Sequence, residues 1–396
     1  MCGWLVWGRL TRLLRAPNGQ RSRQLTTTGC RLDRVFEAPP QQRQLEVGRG
    51  GAAAFRLLTY NILANCYACH HASYCPKELL EWDSRRLRIL EELQKYDADL
   101  VCLQEVERKF YEDDLEAWFL GQGFEGIHFT KKPKVPARVE EGCALFYRTS
   151  TFSRISSRKF FFSDEIGFSG GGQFFTAVKE QRDGAILALL KHIATGQNLL
   201  ACSAHLYWNP KWPDVKVAQA HALCAAVAKF LERQSQPAET PVVLCGDFNS
   251  LWRKYDADEY DKIIDGRHLT SGTYELLRVG ELDSSHPHHP LRRNHSGRPR
   301  GGHIWGLKFS TSGRTFESAY HKVHGCEPLV TNKTDDFEGC LDYIYLSKGH
   351  FNVLETLSMP YDSAGLENPK HVVLPPMPNA MFPSDHLALG ATVVFC

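Results

Sequence analysis

Polar residues recur where apolar segments end: Asn61 after "LLTY", Glu105 after "VCLQ", His205 after "LACSA", and Asp247 with Asn249 after "VVLCG". Asp342 lies inside "CLDYIY", and Asp385 with His386 forms "PSDH" ahead of the last apolar run. Taken singly, such residues cap turns and helices or satisfy packing sites. Taken together, they are acids, amides and histidines with no Ser or Cys nucleophile motif among them, and that set suits phosphoester hydrolysis. Glu105, with Asn61 and Asp385, offers hard oxygen ligands for magnesium or manganese, which neutralise a phosphate oxygen. Asp247 can orient and deprotonate a water, Asn249 can hold it or a phosphate oxygen, and His386 can donate to charge building on phosphorus. A carboxylate beside a histidine keeps it protonated, which gives Asp342 a purpose. No cofactor beyond metal is needed.

These residues must be positioned by elements that the pattern makes legible. The Gly/Ala-rich "GRGGAAA" precedes a strand-like "FRLLTYNIL", so a folded domain is expected from about Phe55 to the last residue, after a flexible linker over 33–54. "PKELLEWDSRRLRILEELQKY" has helical apolar spacing with a proline at its start, and "ADLVCLQEV" reads as a short buried strand. "DDLEAWFLGQG" reads as a helix stopped by glycine, and "GCALFYR" as a strand. "AILALLKHI" and "NLLACSAHL" pair as a hairpin around "ATGQN". "DVKVAQAHALCAAVAKFLERQ" is a long helix, "TPVVLCGDFNS" a buried strand ending in a polar turn, and "LDYIYLS" and "ALGATVVF" are late strands. Strands interleaved with helices and hairpins indicate a mixed α/β fold in one domain. The segment 286–306, rich in His, Pro, Arg and Gly, reads as an exposed loop. Its His286, His288, His289, His295 and His303 are weak metal candidates, and its basic character fits a phosphate-facing role better. Lys131, Lys132, Lys134 and Arg138 either line a phosphate path or form a solvated run.

Composition sets the bounds. With 396 residues, 43% of them hydrophobic, the chain can fill a sizeable core, and no apolar run is long enough for a membrane-spanning helix. The net charge of +2 hides an asymmetry: residues 1–32 hold six arginines and no acid, while acids outnumber bases in the remainder. Such an arginine-rich, acid-free stretch with an amphipathic "WLVWGRLTRLLR" reads as a mitochondrial presequence, a disordered basic tail on a cytoplasmic protein being the alternative. The 13 cysteines, several inside apolar strands, are expected to be reduced, buried thiols. "CYACH" fits a c-type haem attachment pattern, and Cys75, His70 or His71 could extend it to a zinc site. The spacing matches no standard cluster, so packing and loop roles are expected there.

The motifs "TYNILA", "LQEVE", "AHLYWNP", "GDFNS", "LDYIY" and "PSDH", in that order over residues 55–395, resemble the endonuclease/exonuclease/phosphatase superfamily with its DNase I-like fold. "YCPKELLEWDSRR", "EGCALFYR", "HLYWNPKWPDVKVAQ" and "TNKTDDFEGCLDYIY" are similar to its deadenylase branch, which includes the Ccr/Not nuclease, the mitochondrial 2′-phosphodiesterases, nocturnin and the Angel proteins. The resemblance implies two packed mixed β-sheets flanked by helices, a four-layer sandwich, with magnesium-dependent removal of adenylates from the 3′ end of poly(A) or oligoadenylate. It implies Glu105 as principal metal ligand, with Asn61 and Asp385 completing the metal shell, Asp247 activating water and Asn249 as its partner. It places His205 and His386 at the scissile phosphate, with Asp342 orienting a histidine. Pro210, beside Asn209, and Phe337 match the positions that sandwich an adenine base, and a π-face gives stacking without reading sequence. No leucine-rich repeat pattern precedes the domain, so docking to Ccr/Not through such repeats is not expected. "HLYWNP" departs from nocturnin, which weighs against an NADP(H) phosphatase; that activity, or one on cyclic phosphate ends, is the alternative reading. A catalytically idle RNA-binding member is disfavoured because every acidic and histidine position of the motif set is filled.

Overall fold

The computed structural model describes residues 33–39, 53–131, 139–167, 172–256, 269–293 and 307–396. The arginine-rich stretch 1–32, Lys132, Lys134, Arg138, His295 and His303 lie outside the described residues.

In chain order the strands of the two large sheets are β1 (Phe36–Glu37), β2 (Phe55–Asn61), β3 (Leu100–Glu107), β4 (Phe124–Thr130), β5 (Glu141–Arg148), β6 (Phe152–Phe161) and β7 (Gly184–His192). They continue as β8 (Asn198–His205), β9 (Val242–Asp247), β10 (Phe316–Ser318), β11 (Asp342–Ser347), β12 (Phe351–Leu357) and β13 (Leu389–Phe395). The seven-stranded sheet has the order β1-β12-β13-β2-β3-β5-β4, and the six-stranded sheet β10-β11-β9-β8-β7-β6. Each sheet holds one parallel pair, β2 with β3 and β8 with β9, among antiparallel neighbours.

The apolar runs are continuous because both faces of these strands are covered. Alternate residues Leu57, Cys102 and Leu145 of the first sheet meet Ala188, Ala201, Cys245 and Ile344 of the second in one buried cluster between the sheets. The intervening Leu58, Tyr60, Val101 and Phe146 face outward, against Ile89 and Leu93 of the helix Trp82–Tyr96. On the far side, Leu187, Leu200 and Leu244 pack against Val215, Ala218 and Leu223 of the helix Pro213–Arg233 and against Leu276 of Gly272–Val279. Helix, sheet, sheet and helix form the expected sandwich. Each leucine sealed in these layers contributes roughly 1.5–3 kcal/mol of transfer free energy.

Several expectations are corrected. Within the stretch read as linker, Phe36 and Glu37 form the edge strand β1 on β12, and Arg34 ties the segment down, its guanidinium donating to the Ser358 and Ala388 carbonyls. The helix expected at "DDLEAWFLGQG" ends at Gly121 as read but begins earlier, at Arg108, and passes through a wider π-helical turn at Tyr111–Leu115 before Glu116–Gly121. His286, His288 and His289, expected in an exposed loop, are buried, and His288 Nδ1 accepts the Gly272 amide at 3.0 Å at the start of the helix Gly272–Val279. His286 meets the Thr270 carbonyl and His289 packs on Phe309, partners that sequence distance conceals. Lys131 sits between Glu141 at 3.0 Å and Asp183 at 3.2 Å, so it is a half-buried ion-pair partner rather than a free phosphate contact. Among the described residues no helix is long and apolar enough to cross a membrane.

Candidate active site

The two parallel pairs carry Asn61, Glu105, His205 and Asp247 toward their C-terminal ends, while Asp342 opens β11 and Asn249, Asp385 and His386 lie on connections. In β8, β9 and β11 the register places His205 opposite Asp247 and Asp247 opposite Asp342, so three candidate side chains stand in one row across adjacent strands. That row requires β8 and β9 to approach closely at Gly246, where a Cβ would lie 2.0 Å from the Ala204 carbonyl oxygen. The glycine of "GDFN" is therefore dictated by backbone contact. In the other sheet β2 ends at Asn61, opposite Gln104 of β3. Asn61 Nδ2 reaches across to Asp247 Oδ2 at 3.1 Å and also donates to Glu105 Oε1 at 3.1 Å.

Glu105 is aimed by a defect in its strand. The pairing of β3 with β5 shifts register between Leu103 and Val106, and Glu105 inside that bulge adopts φ +58°. A left-handed glutamate is strained, and bulges re-aim side chains next to functional sites. The chain after β2 completes the setting: Leu63 donates to Asn61 Oδ1 at 3.0 Å and Ala64 to Glu105 Oε2 at 2.9 Å. Burial, then the neighbouring Asp385 and Glu141 charges, push the Glu105 carboxyl up to about 7. Crowded hard oxygen donors of like charge are what a divalent cation relieves, and Glu105 and Asp385 supply them here, while Asn61 turns its Nδ2 donor toward Glu105 and Asp247 and its Oδ1 toward the Leu63 amide. Among the described residues, the acids and histidines whose donor atoms come close enough together to hold a metal are Asp247, Asp342 and His386, within 4.8 Å of one another.

His386 Nδ1 stands 2.8 Å from Asp342 Oδ2, which also accepts the Thr331 hydroxyl at 2.6 Å. Its Nε2 faces Asp247 Oδ2 at 3.7 Å. Burial alone would lower the His386 pKa, but Asp342, Asp385 and Asp247 together raise it well above the ordinary histidine value. Asp247 is lifted to about 6 by burial, against the opposing pull of His386. His205 goes the other way: burial, helped by the Lys131 and His386 charges, drives it well below the ordinary value. Its Nε2 lies 3.1 Å from Asn249 Nδ2, which also donates to the Leu206 carbonyl at 3.0 Å, so the ring is a neutral acceptor. Asn249 itself sits at φ +47°, a conformation asparagine tolerates, and donates its amide to Asp247 Oδ1 at 2.8 Å. Asp385 is held below the usual carboxylate value although burial opposes this, because His386 and a hydrogen bond from His71 favour its charge.

All eight predicted acids, amides and histidines thus converge. Asn209 and Pro210 lie on the turn between β8 and the helix Pro213–Arg233, where Asn209 Oδ1 accepts the Lys211 amide at 2.9 Å. Phe337 lies at the tip of the hairpin pairing Asn332–Lys333 with Glu338–Gly339. That hairpin is tied to the centre by a bridge between Asn332 and His386 and by the Lys333 amide on the Asp385 carbonyl at 3.1 Å.

Three residues at the centre escaped the sequence reading of the site. Thr331 buttresses Asp342, and Lys216 Nζ donates to the Asn249 carbonyl at 2.5 Å. His71 Nε2 lies 3.5 Å from Asp385 Oδ2, while its Nδ1 meets the Tyr74 hydroxyl at 2.8 Å. His71 belongs to the segment weighed above as haem or zinc site. Cys66, Cys69 and Cys75 are free thiols, and among the described residues they join no metal-holding group. The segment instead caps acids through its backbone, with Cys66 donating to Glu107 at 2.7 Å.

Similarity to known proteins agrees with this geometry. The chain is 27% identical over 411 residues to the CCR4-Not complex 3′-5′-exoribonuclease subunit Ccr4 of Phaeosphaeria nodorum, covering 90% of this chain and 63% of that relative's length. Among solved structures, ANGEL2, a 2′,3′-cyclic phosphatase bound to adenosine-2′,3′-vanadate, superposes with a TM-score of 0.67 at 22% identity, covering 91% of this chain and 99% of that one. The human nocturnin catalytic domain superposes with a TM-score of 0.57 at 21% identity, covering 92% and 98%. These likenesses establish the two-sheet α/β sandwich. The Endonuclease/Exonuclease/phosphatase family model matches residues 58–386, from within β2 to His386 itself, and the chain belongs to that family.

Proposed function

We propose that the protein is a metal-dependent 3′ exoribonuclease that removes adenylates from poly(A) or oligoadenylate and releases AMP. The observation that carries this reading is the row His205, Asp247 and Asp342 across three strands, closed by His386 on Asp342 and linked through Asn61 to Glu105. The likeness to the Ccr4 exoribonuclease subunit supports RNA as the polymer.

Each residue then has a task. Asp247, with a pKa of about 6, is ionised near neutral pH yet basic enough to take a proton from the attacking water. The Asn249 amide on Oδ1 and the Asn61 amide on Oδ2 fix the lone pair that receives it. His386, kept protonated by its ring of carboxylates, donates from Nε2 to a non-bridging phosphoryl oxygen as charge grows there. Neutral His205, oriented by Asn249, lines the same phosphate. The water oxygen joins phosphorus as its proton passes to Asp247, the bond to the 3′ oxygen of the preceding nucleotide breaks, AMP leaves, and that 3′ oxygen takes a proton from solvent to become the new 3′ hydroxyl. Glu105, with Asn61 and Asp385, would hold magnesium or manganese, which would supply charge neutralisation at the phosphate oxygens. Pro210, beside Asn209, and Phe337 clasp the terminal adenine, which gives base preference by stacking.

The test uses 5′-labelled 3′–5′ oligoadenylate, 2′–5′ oligoadenylate, oligouridylate, a 2′,3′-cyclic phosphate end and NADP side by side with magnesium. Stepwise shortening of oligoadenylate from its 3′ end is expected. A preference for NADP or the cyclic end would overturn the exoribonuclease reading in favour of a nucleotide phosphatase.

We also infer mitochondrial import from the six arginines and absent acids of residues 1–32. A fusion of residues 1–50 to a fluorescent protein should concentrate in mitochondria; diffuse cytosolic signal refutes the inference.

A further inference from the structure

Among the described residues, the large hydrophobic side chains left exposed include three aromatics: Tyr67 at 38%, Trp208 at 66% and Phe337 at 36% relative exposure. All three stand on connections fastened to the acids or amides of the site. Tyr67 follows Ala64, whose amide binds Glu105, and Phe337 tips the hairpin bound to Asp385. Trp208 is fastened by the buried Lys216, whose Nζ donates both to the Trp208 carbonyl at 3.4 Å and to the Asn249 carbonyl at 2.5 Å.

Trp208 is the most exposed of the three, and tryptophan is a side chain that folding normally hides. Its ring meets Tyr207 at a steep angle of 63° with centroids 6.2 Å apart, which is not a stacked contact. It precedes Asn209 and Pro210, so it stands beside the adenine clasp on the same turn. An indole beside a nucleic-acid site presents a π-face, and because Lys216 already fixes the turn that carries it, less of the backbone has to be ordered on binding. A stacked base covers apolar surface that water otherwise meets, and every base has a face to offer.

We propose that Trp208 is an outer stacking platform for single-stranded RNA, taking a base that lies beyond the penultimate one on the 5′ side of the adenylate clasped by Pro210 and Phe337, out of reach of a dinucleotide; this rests on the exoribonuclease reading above. The platform lies outside the reacting atoms, so it adds to binding of longer substrates and leaves the chemical step alone. The enzyme then has at least two base subsites, and its affinity grows with RNA length until both are filled.

The experiment compares the full chain with Trp208→Ala and Trp208→Phe on the dinucleotide ApA and on hexa-adenylate with magnesium. Binding of fluorescein-labelled hexa-adenylate is followed in parallel by anisotropy without added metal. Trp208→Ala should raise KM and Kd for hexa-adenylate about ten-fold, leaving kcat and the KM for ApA unchanged, and Trp208→Phe should restore most of the loss. Equal Kd and KM in parent and alanine variant overturn the platform, as does an equal rise in KM for ApA and hexa-adenylate, which would assign Trp208 to the terminal clasp. If the parent fails to cleave RNA while Trp208→Ala still loses binding, the exoribonuclease reading fails and the platform stands. A parent that neither binds nor cleaves overturns both.

Discussion

His386 Nδ1 lies 2.8 Å from Asp342 Oδ2, in a pocket where burial by itself would strip the imidazole of its proton. Three carboxylates reverse that tendency, with Asp342 the largest of them. Asp342→Asn should therefore lower the His386 pKa and move the alkaline limb of the kcat/KM profile down toward neutrality. Loss of this aligned donor should also slow turnover about 10²–10³-fold at neutral pH. An unchanged alkaline limb would remove Asp342 from the proton inventory.

The acid limb reports a different group. Asp247 must be ionised to accept a proton, and its pKa of about 6 predicts activity rising through about pH 6 and levelling above it. Asp247→Asn should abolish that limb along with about 10²–10⁴-fold of the rate, measured as kcat at saturating oligoadenylate.

Glu105→Ala should lose activity at unchanged folding, and raising magnesium should not restore it. In the parent, magnesium should raise Tm, because a ligand that binds only the folded state stabilises it. That shift should shrink in Glu105→Ala. Thermal scans with and without magnesium decide it, and an equal shift in both proteins would displace Glu105 as principal ligand.

Stability should depend on pH through a group remote from the phosphate chemistry. Glu327 is buried, accepts hydrogen bonds from Tyr274 at 2.8 Å and Ser318 at 2.7 Å, and is pushed up to about 7 by burial. Its folded pKa lies above the unfolded value of about 4.3, so the folded state binds the extra proton. The stabilisation is fully present below about pH 4.3 and lost as pH rises to about 7, on the order of 3 kcal/mol in all. Glu327→Gln should flatten the Tm profile over that window in metal-free protein.

Gly246→Ala drives a methyl group into the Ala204 carbonyl. It should cost about 1–3 kcal/mol or more, read by urea denaturation, and should separate β8 from β9 enough to disturb the row of His205 and Asp247.

The sequence disclosed these strands well because burial on both faces writes continuous apolar runs, and the polar residue ending each run stands out against them. Asn61, Glu105, His205 and Asp247 were legible for that reason, and His386 because "PSDH" stands just ahead of the last such run. The bulge that aims Glu105 was not, since a one-residue register shift leaves no compositional mark. Thr331, Lys216 and His71 were hidden differently: each serves an acid or amide tens to hundreds of residues away, and alone each reads as an ordinary threonine, a helix lysine or a loop histidine. His288 misled most, because a histidine-rich segment looks solvated until the Gly272 amide that it accepts is known.

Asn61 and Asp247 come from opposite sheets, and one amide proton joins them over 3.1 Å. Catalysis thus doubles as a gauge of how the two halves of the sandwich sit on each other. A hydrogen bond of that length weakens with small displacements, and about 1 Å of misplacement can cost 10²-fold in rate. Turnover should fail in mild denaturant before circular dichroism records any loss of strand, so this protein would fall silent while still looking folded.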